Sequence, residues 1–272
     1  MITVTGATGN VGRPLVAALT AAGERVNTVA RGDLESGPGS THYRADLSDP
    51  ASLKPALDGA EALFVLTAGD FIVGGDMGAV MDVARASGVR RVVLLSSHGV
   101  GTGRHAGNLE AAVRESGLEW TMLRPGSFAS NAYAWAESVR TRRVVEAPFG
   151  DTAIPAVDPA DIAAVAALAL REPGHAGKVH TLTGPEAVSP RQQAAAIAAA
   201  IGEPVGFTEL TREEARARML GFMPERVVEA TLGALGEPSP AEQRAAPDVE
   251  QVLGRPATPF AQWAKRNAAA FR

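Results

Sequence analysis

The chain has 272 residues, is 46% hydrophobic and 21% charged, and carries a formal net charge of −4 at pH 7, which suits one large α/β domain or a domain with a smaller appendage. The acidic balance argues against a nucleic-acid partner, which needs a clustered positive face; the densest basic group, Arg140, Arg142 and Arg143, reads as a solvated helix end. With no cysteine, disulfides, thiolate catalysis and thiolate metal sites are excluded, and five histidines without HxH or HxxxH spacing argue against a bound metal.

The first predicted strand, Ile2–Thr5, is a short β-branched run leading straight from Met1 into Gly6, Gly9 and Gly12. A helical pattern follows over residues 11–22. Strand, glycine turn and helix in that order form the context of a dinucleotide-binding turn. Gly6 permits the tight turn, Gly9 lets backbone approach a pyrophosphate, and Gly12 lets helix and strand pack closely. Thr8, Asn10 and Val11 fill the turn, and the helix start offers N–H groups and a positive dipole end to the phosphates. Because Met1 opens directly onto a strand, no leader peptide is expected, and no apolar run reaches the roughly 18 residues of a membrane span. A cytoplasmic protein without membrane contact is expected, with monomer and homodimer both open.

Further strands are predicted at Arg25–Ala30, Thr41–Arg44, Ala62–Leu66, Arg91–Leu95 and Glu119–Leu123, with helices near 51–58, 76–87 and 106–116. The strands are continuously apolar rather than alternating, which suits a sheet covered on both faces. Repeated βα units of this kind predict a doubly wound parallel sheet. Helix starts are expected at Asp49-Pro50, Asp158-Pro159, Ser189-Pro190 and Ser239-Pro240, where a cap acceptor precedes a first-turn proline. Thr211 with Glu214, and Ser239 with Glu242, have capping-box spacing.

Beyond about residue 125 the strands become short and scattered, near 144–147, 153–156, 178–183 and 205–209, among several helices. The expected organisation is a dinucleotide-binding domain over 1–125, its sheet completed by later segments, and a smaller, mainly helical substrate lobe over 126–272. Residues 233–248, with three prolines and two glycines, read as a mobile segment.

The end of the second strand should meet the adenosine ribose. There the sequence reads Ala30-Arg31-Gly32-Asp33. An arginine at the strand end holds a 2′-phosphate bidentately and favours NADP over NAD; Asp33 would favour NAD if the register slipped, and is otherwise a turn residue. Asp46-Leu47 is placed to meet the adenine edge, or to close a turn. The small residues Thr67-Ala68-Gly69 would admit a nicotinamide ribose, though an ordinary βα turn uses the same types.

Together these residues resemble the atypical short-chain dehydrogenase/reductase superfamily, and its NmrA-like branch in particular. The resemblance runs through Thr5–Gly12, Arg31, Asp46-Leu47, Ser96-Ser97, Glu110, Leu123-Arg124-Pro125-Gly126, Phe128, Asn131, Asp161-Ile162-Ala163, Leu182–Pro185 and Phe260–Trp263. It implies a Rossmann domain, a small C-terminal substrate lobe and NAD(P) binding, with Ser96 and Pro125 beside the cofactor.

The superfamily's tyrosine, followed four residues later by a lysine, is absent. Tyr43 is followed at that spacing by Leu47 and Tyr133 by Glu137, and Lys54, Lys178 and Lys265 lie near neither. Where relatives carry a catalytic serine or threonine after strand five, alignment places His98, with Ser97 beside it. A histidine there reads as a proton donor titrating near neutrality, or as a loop residue that merely touches ligand. His105 is a weaker candidate. Asn131, Tyr133, Phe128, Trp135, Phe149, Phe222 and Met223 are candidates for the substrate lobe's lining, and equally for its core.

The expected activity is NADPH-dependent reduction of a small apolar carbonyl, quinone or conjugated alkene, because such acceptors take hydride without a dedicated phenol acid. The alternative is a non-catalytic NADP-sensing regulator.

Overall fold

Four consecutive buried positions, Ile2–Thr5, form β1 at the middle of a parallel sheet in the computed structural model, which describes residues 1–33, 35–67, 69 and 71–272. After α1 (Gly12–Ala21) come β2 (Val26–Ala30) and β3 (Ser40–Arg44). A 3-10 turn at Pro50–Leu53 leads into α2 (Lys54–Leu57), followed by β4 (Ala62–Leu66), α3 (Phe71–Gly74) and α4 (Met77–Ala86). Then come β5 (Arg91–Leu95), α5 (His98–Gly101), α6 (Asn108–Glu115) and β6 (Glu119–Pro125). Among the described residues the sheet has seven strands in the order β3-β2-β1-β4-β5-β6-β8, where β8 is Lys178–Leu182. Every neighbouring pair is parallel. This is the doubly wound Rossmann order, reversing direction between β1 and β4.

The continuous burial of β1, β2 and β4 matches a sheet packed on both faces, while the edge strand β3 is only partly covered. Two of the buried polar residues of this sheet share one acceptor. The Thr3 hydroxyl and the Asn27 amide both donate to the Ala56 carbonyl, at 2.6 and 2.7 Å. Ala56 lies in the last turn of α2, where helix carbonyls lack intrahelical donors, so buried donors and an orphan acceptor satisfy one another.

The chain divides into two units. The first comprises Met1–Pro125, Pro159–Leu182 and Asp248–Arg255, adding α8 (Pro159–Arg171), β8 and α12 (Asp248–Leu253) to the elements above. The strand predicted at 178–183 therefore joins the large sheet, with Thr121 opposite Lys178 and Pro125 opposite Leu182. Helix α8 packs on α1.

The second unit comprises Gly126–Asp158, Thr183–Pro247 and Pro256–Arg272. It opens with a 3-10 helix at Ala129–Trp135, then α7 (Ala136–Arg142) and β7 (Val144–Pro148). It continues with α9 (Pro190–Ile201), β9 (Gly206–Leu210), α10 (Arg212–Met219), α11 (Glu225–Gly236) and α13 (Phe260–Arg266). Strands β7 and β9 pair in parallel, and the core gathers Val139, Val145, Ile197, Phe260, Trp263 and Phe271. No strand forms at 153–156; Ile154 makes one isolated bridge to Val188.

Capping boxes form at Ser189 with Gln192 and at Thr211 with Glu214. At Ser239 the reciprocal bonds to Glu242 also form, but they close a single turn that does not propagate into a helix. Asp49 makes no side-chain cap bond; Pro50 starts a 3-10 turn instead. Gly233 and Gly236, the two glycines of the segment read as mobile, lie within α11.

Candidate cofactor and active site

At the β1/β4 reversal the ladder between these strands ends at Val4 opposite Phe64. One residue further, the Thr5 hydroxyl accepts from the Leu66 N–H at 2.9 Å and donates to the Phe64 carbonyl at 3.2 Å, holding the two strand ends together below the crevice. Gly6 follows with φ +65°, a left-handed conformation that favours glycine. The turn closes with the Gly9 N–H donating to the Gly6 carbonyl at 3.0 Å. A Cβ at Gly12 would lie 2.1 Å from that same carbonyl oxygen, so Gly12 is required by the protein's own packing. At Gly9 a Cβ would meet only the Gly6 oxygen, at 3.3 Å. The packing around Gly9 is far less demanding, so its glycine is better explained by something that approaches from outside.

Helix α1 starts beside this turn with Val11 at its N-cap and no side-chain cap bond. Thr8 and Asn10 are exposed. A glycine cradle with room beside Gly9 and a helix start whose N-cap residue, Val11, offers no polar side chain suits a pyrophosphate.

Arg31, Gly32 and Asp33 are exposed just beyond β2. The turn is tied down by His42 of β3, which bridges the Thr28 hydroxyl at 3.2 Å and the Gly32 carbonyl at 3.0 Å. Asp46 forms a turn: its carboxylate accepts the Ser48 N–H at 2.9 Å, and its backbone bonds to the Ser52 hydroxyl. Leu47 packs against the hydrophobic core. Beyond β4, Thr67 is half-buried and Gly69 exposed with φ +58°; Ala68 lies outside the described residues.

The ends of β5 and β6 carry two polar groupings. In the first, Glu110, 1% exposed, receives four hydrogen bonds. Ser96 donates at 2.6 Å, Arg124 donates through Nε and a terminal nitrogen at 2.8 and 2.7 Å, and Arg114 donates at 2.8 Å. Burial pushes the Glu110 carboxyl up, but the hydrogen bonds from Arg124 and Ser96 and the charges of Arg124 and Arg114 outweigh it and hold the group below the usual carboxylate range. Ser96, expected beside the cofactor, spends its hydroxyl on this carboxylate.

In the second grouping Ser97 caps α5 by accepting the Gly99 N–H at 3.1 Å. Its hydroxyl also lies 3.0 Å from Nδ1 of His105. His98 is half-buried in the first turn of α5. The histidine that pairs with Ser97 is thus His105, eight residues along; its backbone N–H bonds to the Gly99 carbonyl at 2.9 Å and folds the loop back.

The glycine cradle corresponds to a known family. A family model described as NAD(P)H-binding matches residues 6–173. The chain belongs to the NAD(P)H-binding family. The (4-alkanoyl-5-oxo-2,5-dihydrofuran-3-yl)methyl phosphate reductase of Streptomyces griseus is 38% identical to this NAD(P)H-binding chain, covering all of it and 99% of the relative. The NAD(P)H azoreductase of Xenophilus azovorans is 34% identical over all of this chain and 99% of its own. Among solved structures, the NADPH-dependent quinone oxidoreductase of Escherichia coli complexed with NADPH superimposes with a TM-score of 0.82 at 26% identity, covering 98% of this chain and 99% of that one. The named relatives are therefore reductases or oxidoreductases, two of them named for NAD(P)H or NADPH.

In the second unit, the Tyr133 hydroxyl donates to Asn267 at 2.6 Å, and its ring meets Trp263 and Phe271 at centroid distances of 5.1 and 6.0 Å. Trp135 packs against the unit's core. Phe128 is half-buried and Asn131 exposed. Phe222, between α10 and α11, is 71% exposed. Phe149 takes φ +54°, its ring lying where a Cβ on Gly236 would fall. The Arg124 clamp and the His42 bridge escaped sequence reasoning; Glu110 and Arg124 stood in the family motif, but nothing in their spacing of 14 residues announced a pair.

Proposed function

We propose that this protein is an NADPH-dependent reductase of a small apolar carbonyl, quinone or conjugated alkene, acting in the cytoplasm. The observation that carries this reading is the glycine cradle at the β1/β4 reversal, with Arg31 exposed at the end of the neighbouring strand. Gly6, Thr8, Gly9, Asn10, Val11 and Gly12 hold the pyrophosphate, and Arg31 holds the 2′-phosphate. Asp46, Leu47, Thr67, Gly69, Ser96 and Pro125 lie at the following strand ends, where the rest of a dinucleotide would run. When bound, the reduced nicotinamide supplies a hydride. The three relatives named above act on a dihydrofuranone, an azo compound and a quinone, acceptors that suit a site lacking the tyrosine–lysine pair. Ser97 and His98 stand at the end of β5 as the polar groups nearest the reacting centre in this reading, and Phe128, Asn131, Tyr133, Trp135 and Phe222 are the substrate-binding candidates.

The cofactor assignment is tested by fluorescence titration. NADPH is expected to bind more tightly than NADH, and Arg31→Ala to remove most of that difference, about tenfold to a hundredfold for a charge-assisted phosphate contact of roughly 1.5–3 kcal/mol. Equal affinities in the unsubstituted protein would overturn the preference. NADPH consumption over a panel of quinones and enones tests the chemistry; tight cofactor binding with no turnover on any acceptor would overturn the reductase assignment.

A further inference from the structure

We propose that Ser97 and His105 form a proton relay that delivers a proton to the substrate oxygen, taking the place of the missing tyrosine–lysine pair. The inference rests on the reductase reading above and names the acid that reading leaves unassigned.

The geometry is specific. Ser97 sits in extended conformation at the end of β5, φ −147° and ψ 144°, and its oxygen accepts the Gly99 N–H. The loop after α5 returns so that the His105 ring packs directly on Gly99. A Cβ at position 99 would lie 2.5 Å from Nδ1, so any larger residue there would displace the imidazole. This close approach leaves Nδ1 at 3.0 Å from the Ser97 oxygen.

A serine oxygen has two lone pairs and one proton. With His105 neutral and protonated on Nε2, Ser97 donates to Nδ1 while accepting from Gly99. With Nδ1 protonated, both lone pairs are filled, by the Gly99 N–H and by Nδ1–H, and the hydroxyl proton must point elsewhere. The two states of the imidazole therefore switch the serine between donating inward and donating outward. His105 is exposed and exchanges protons with water, whereas Ser97 is half-buried.

The location fits. β5 pairs with β4 up to Leu66 opposite Leu95, so Ser97 follows the strand next to the one that flanks the glycine turn. Among the described residues, the titratable and charged groups near the pair include Arg104, next to His105 in the chain, His98, next to Ser97, and Arg124 of β6, whose terminal nitrogen lies 3.0 Å from where a Cβ on Gly101 would stand. Glu110 offsets part of the Arg124 charge but is shared with Arg114, so the three groups together keep one net positive charge.

For a quinone acceptor the balance closes. Reduction to the hydroquinone requires two electrons and two protons. The electron pair and one hydrogen arrive as hydride from the reduced nicotinamide cofactor, which leaves oxidised. The second proton passes from the Ser97 hydroxyl to the ring oxygen, Nδ1–H of His105 replaces it, and water reprotonates the imidazole. Ser97 is the residue that touches substrate; His105 acts through it and is a positioning and proton-supplying residue.

The test uses the full chain with His105→Gln and Ser97→Ala. His105→Gln is expected to lower kcat on quinones by about a hundredfold, at the lower end of the range for general acid catalysis, with NADPH affinity unchanged. Turnover by the unsubstituted protein should fall as pH rises through the imidazole titration, because the donor must be protonated, and the variant should lack that limb. A second readout needs no turnover. In the cofactor-free protein, nitrogen NMR should show the His105 tautomer balance and titration moving when Ser97 becomes alanine. An identical His105 titration in that variant, or an unchanged rate and pH limb in His105→Gln, would overturn the relay while leaving the reductase reading intact. NADPH binding without turnover on any acceptor would overturn both.

Discussion

Replacing Gly12 with alanine is expected to destabilise the protein by about 3 kcal/mol or more, at the upper end of overpacking costs, and to abolish NADPH binding. The added methyl would stand 2.1 Å from the Gly6 carbonyl oxygen and 2.7 Å from the Ala7 Cα. These are backbone atoms, so no rotamer change relieves the clash, and α1 must move away from β1. Urea denaturation should show a lower midpoint. Gly9→Ala is the informative partner. Its methyl meets only the Gly6 oxygen at 3.3 Å, so the midpoint should move little, while NADPH affinity falls by about tenfold or more, 1.4 kcal/mol per decade, because the methyl intrudes on the pyrophosphate. If Gly9→Ala bound NADPH normally, the turn would be a chain reversal and nothing else.

Glu110→Ala is expected to cost about 3 kcal/mol. Removing one partner of a buried ion pair leaves the other uncompensated, at roughly 3–5 kcal/mol when both are fully enclosed. The lower end applies here because Arg124 and Arg114 reach solvent, at 19% and 38% side-chain exposure. The same network sets an acid limit. The Glu110 carboxyl is held below its ordinary value, so its contribution is complete above the unfolded-chain pKa of about 4.3 and disappears as pH falls through the lower folded value. Denaturation midpoints measured from neutral pH down to about pH 3 should converge between Glu110→Ala and the unsubstituted protein. A gap that persists undiminished at the acid end would mean that the carboxylate's charge is not what stabilises the ends of β5 and β6.

The parts of the fold that were legible in the sequence are those written locally. The β-branched run Ile2–Thr5 and the glycines behind it carry their own geometry, and Ser189 and Thr211 announce their helices through residues three positions on. Ser239 shows the limit of that signal. The cap bonds form there as the spacing demands, but a cap stabilises only a helix that has an apolar face to bury, and the segment after Pro240 offers none. The allegiance of Lys178–Leu182 followed from its edge-to-edge fit against β6 rather than from its own composition. The pairing of Ser97 with His105 depended on a one-turn helix and the return of a loop onto Gly99, which no periodicity reports. His98 was the more obvious choice because alignment counts along the chain, whereas hydrogen bonds do not.

The interleaving of the two units shapes how the protein can be made. A ribosome delivers Met1–Pro125 first, but the unit begun by that segment also needs Pro159–Leu182 and Asp248–Arg255. Until residues 178–182 emerge, β6 presents an open hydrogen-bonding edge, and until 159–171 emerge, α1 lacks the helix that packs on it. An uncovered parallel edge on an apolar sheet invites association with other chains. Synthesis therefore passes through the stretch from residue 126 to residue 182 with the first six strands made and the β6 edge still unsealed. A ribosome-bound fragment ending near residue 150 is expected to recruit chaperones, and release at that point to give aggregate rather than a free-standing dinucleotide-binding domain.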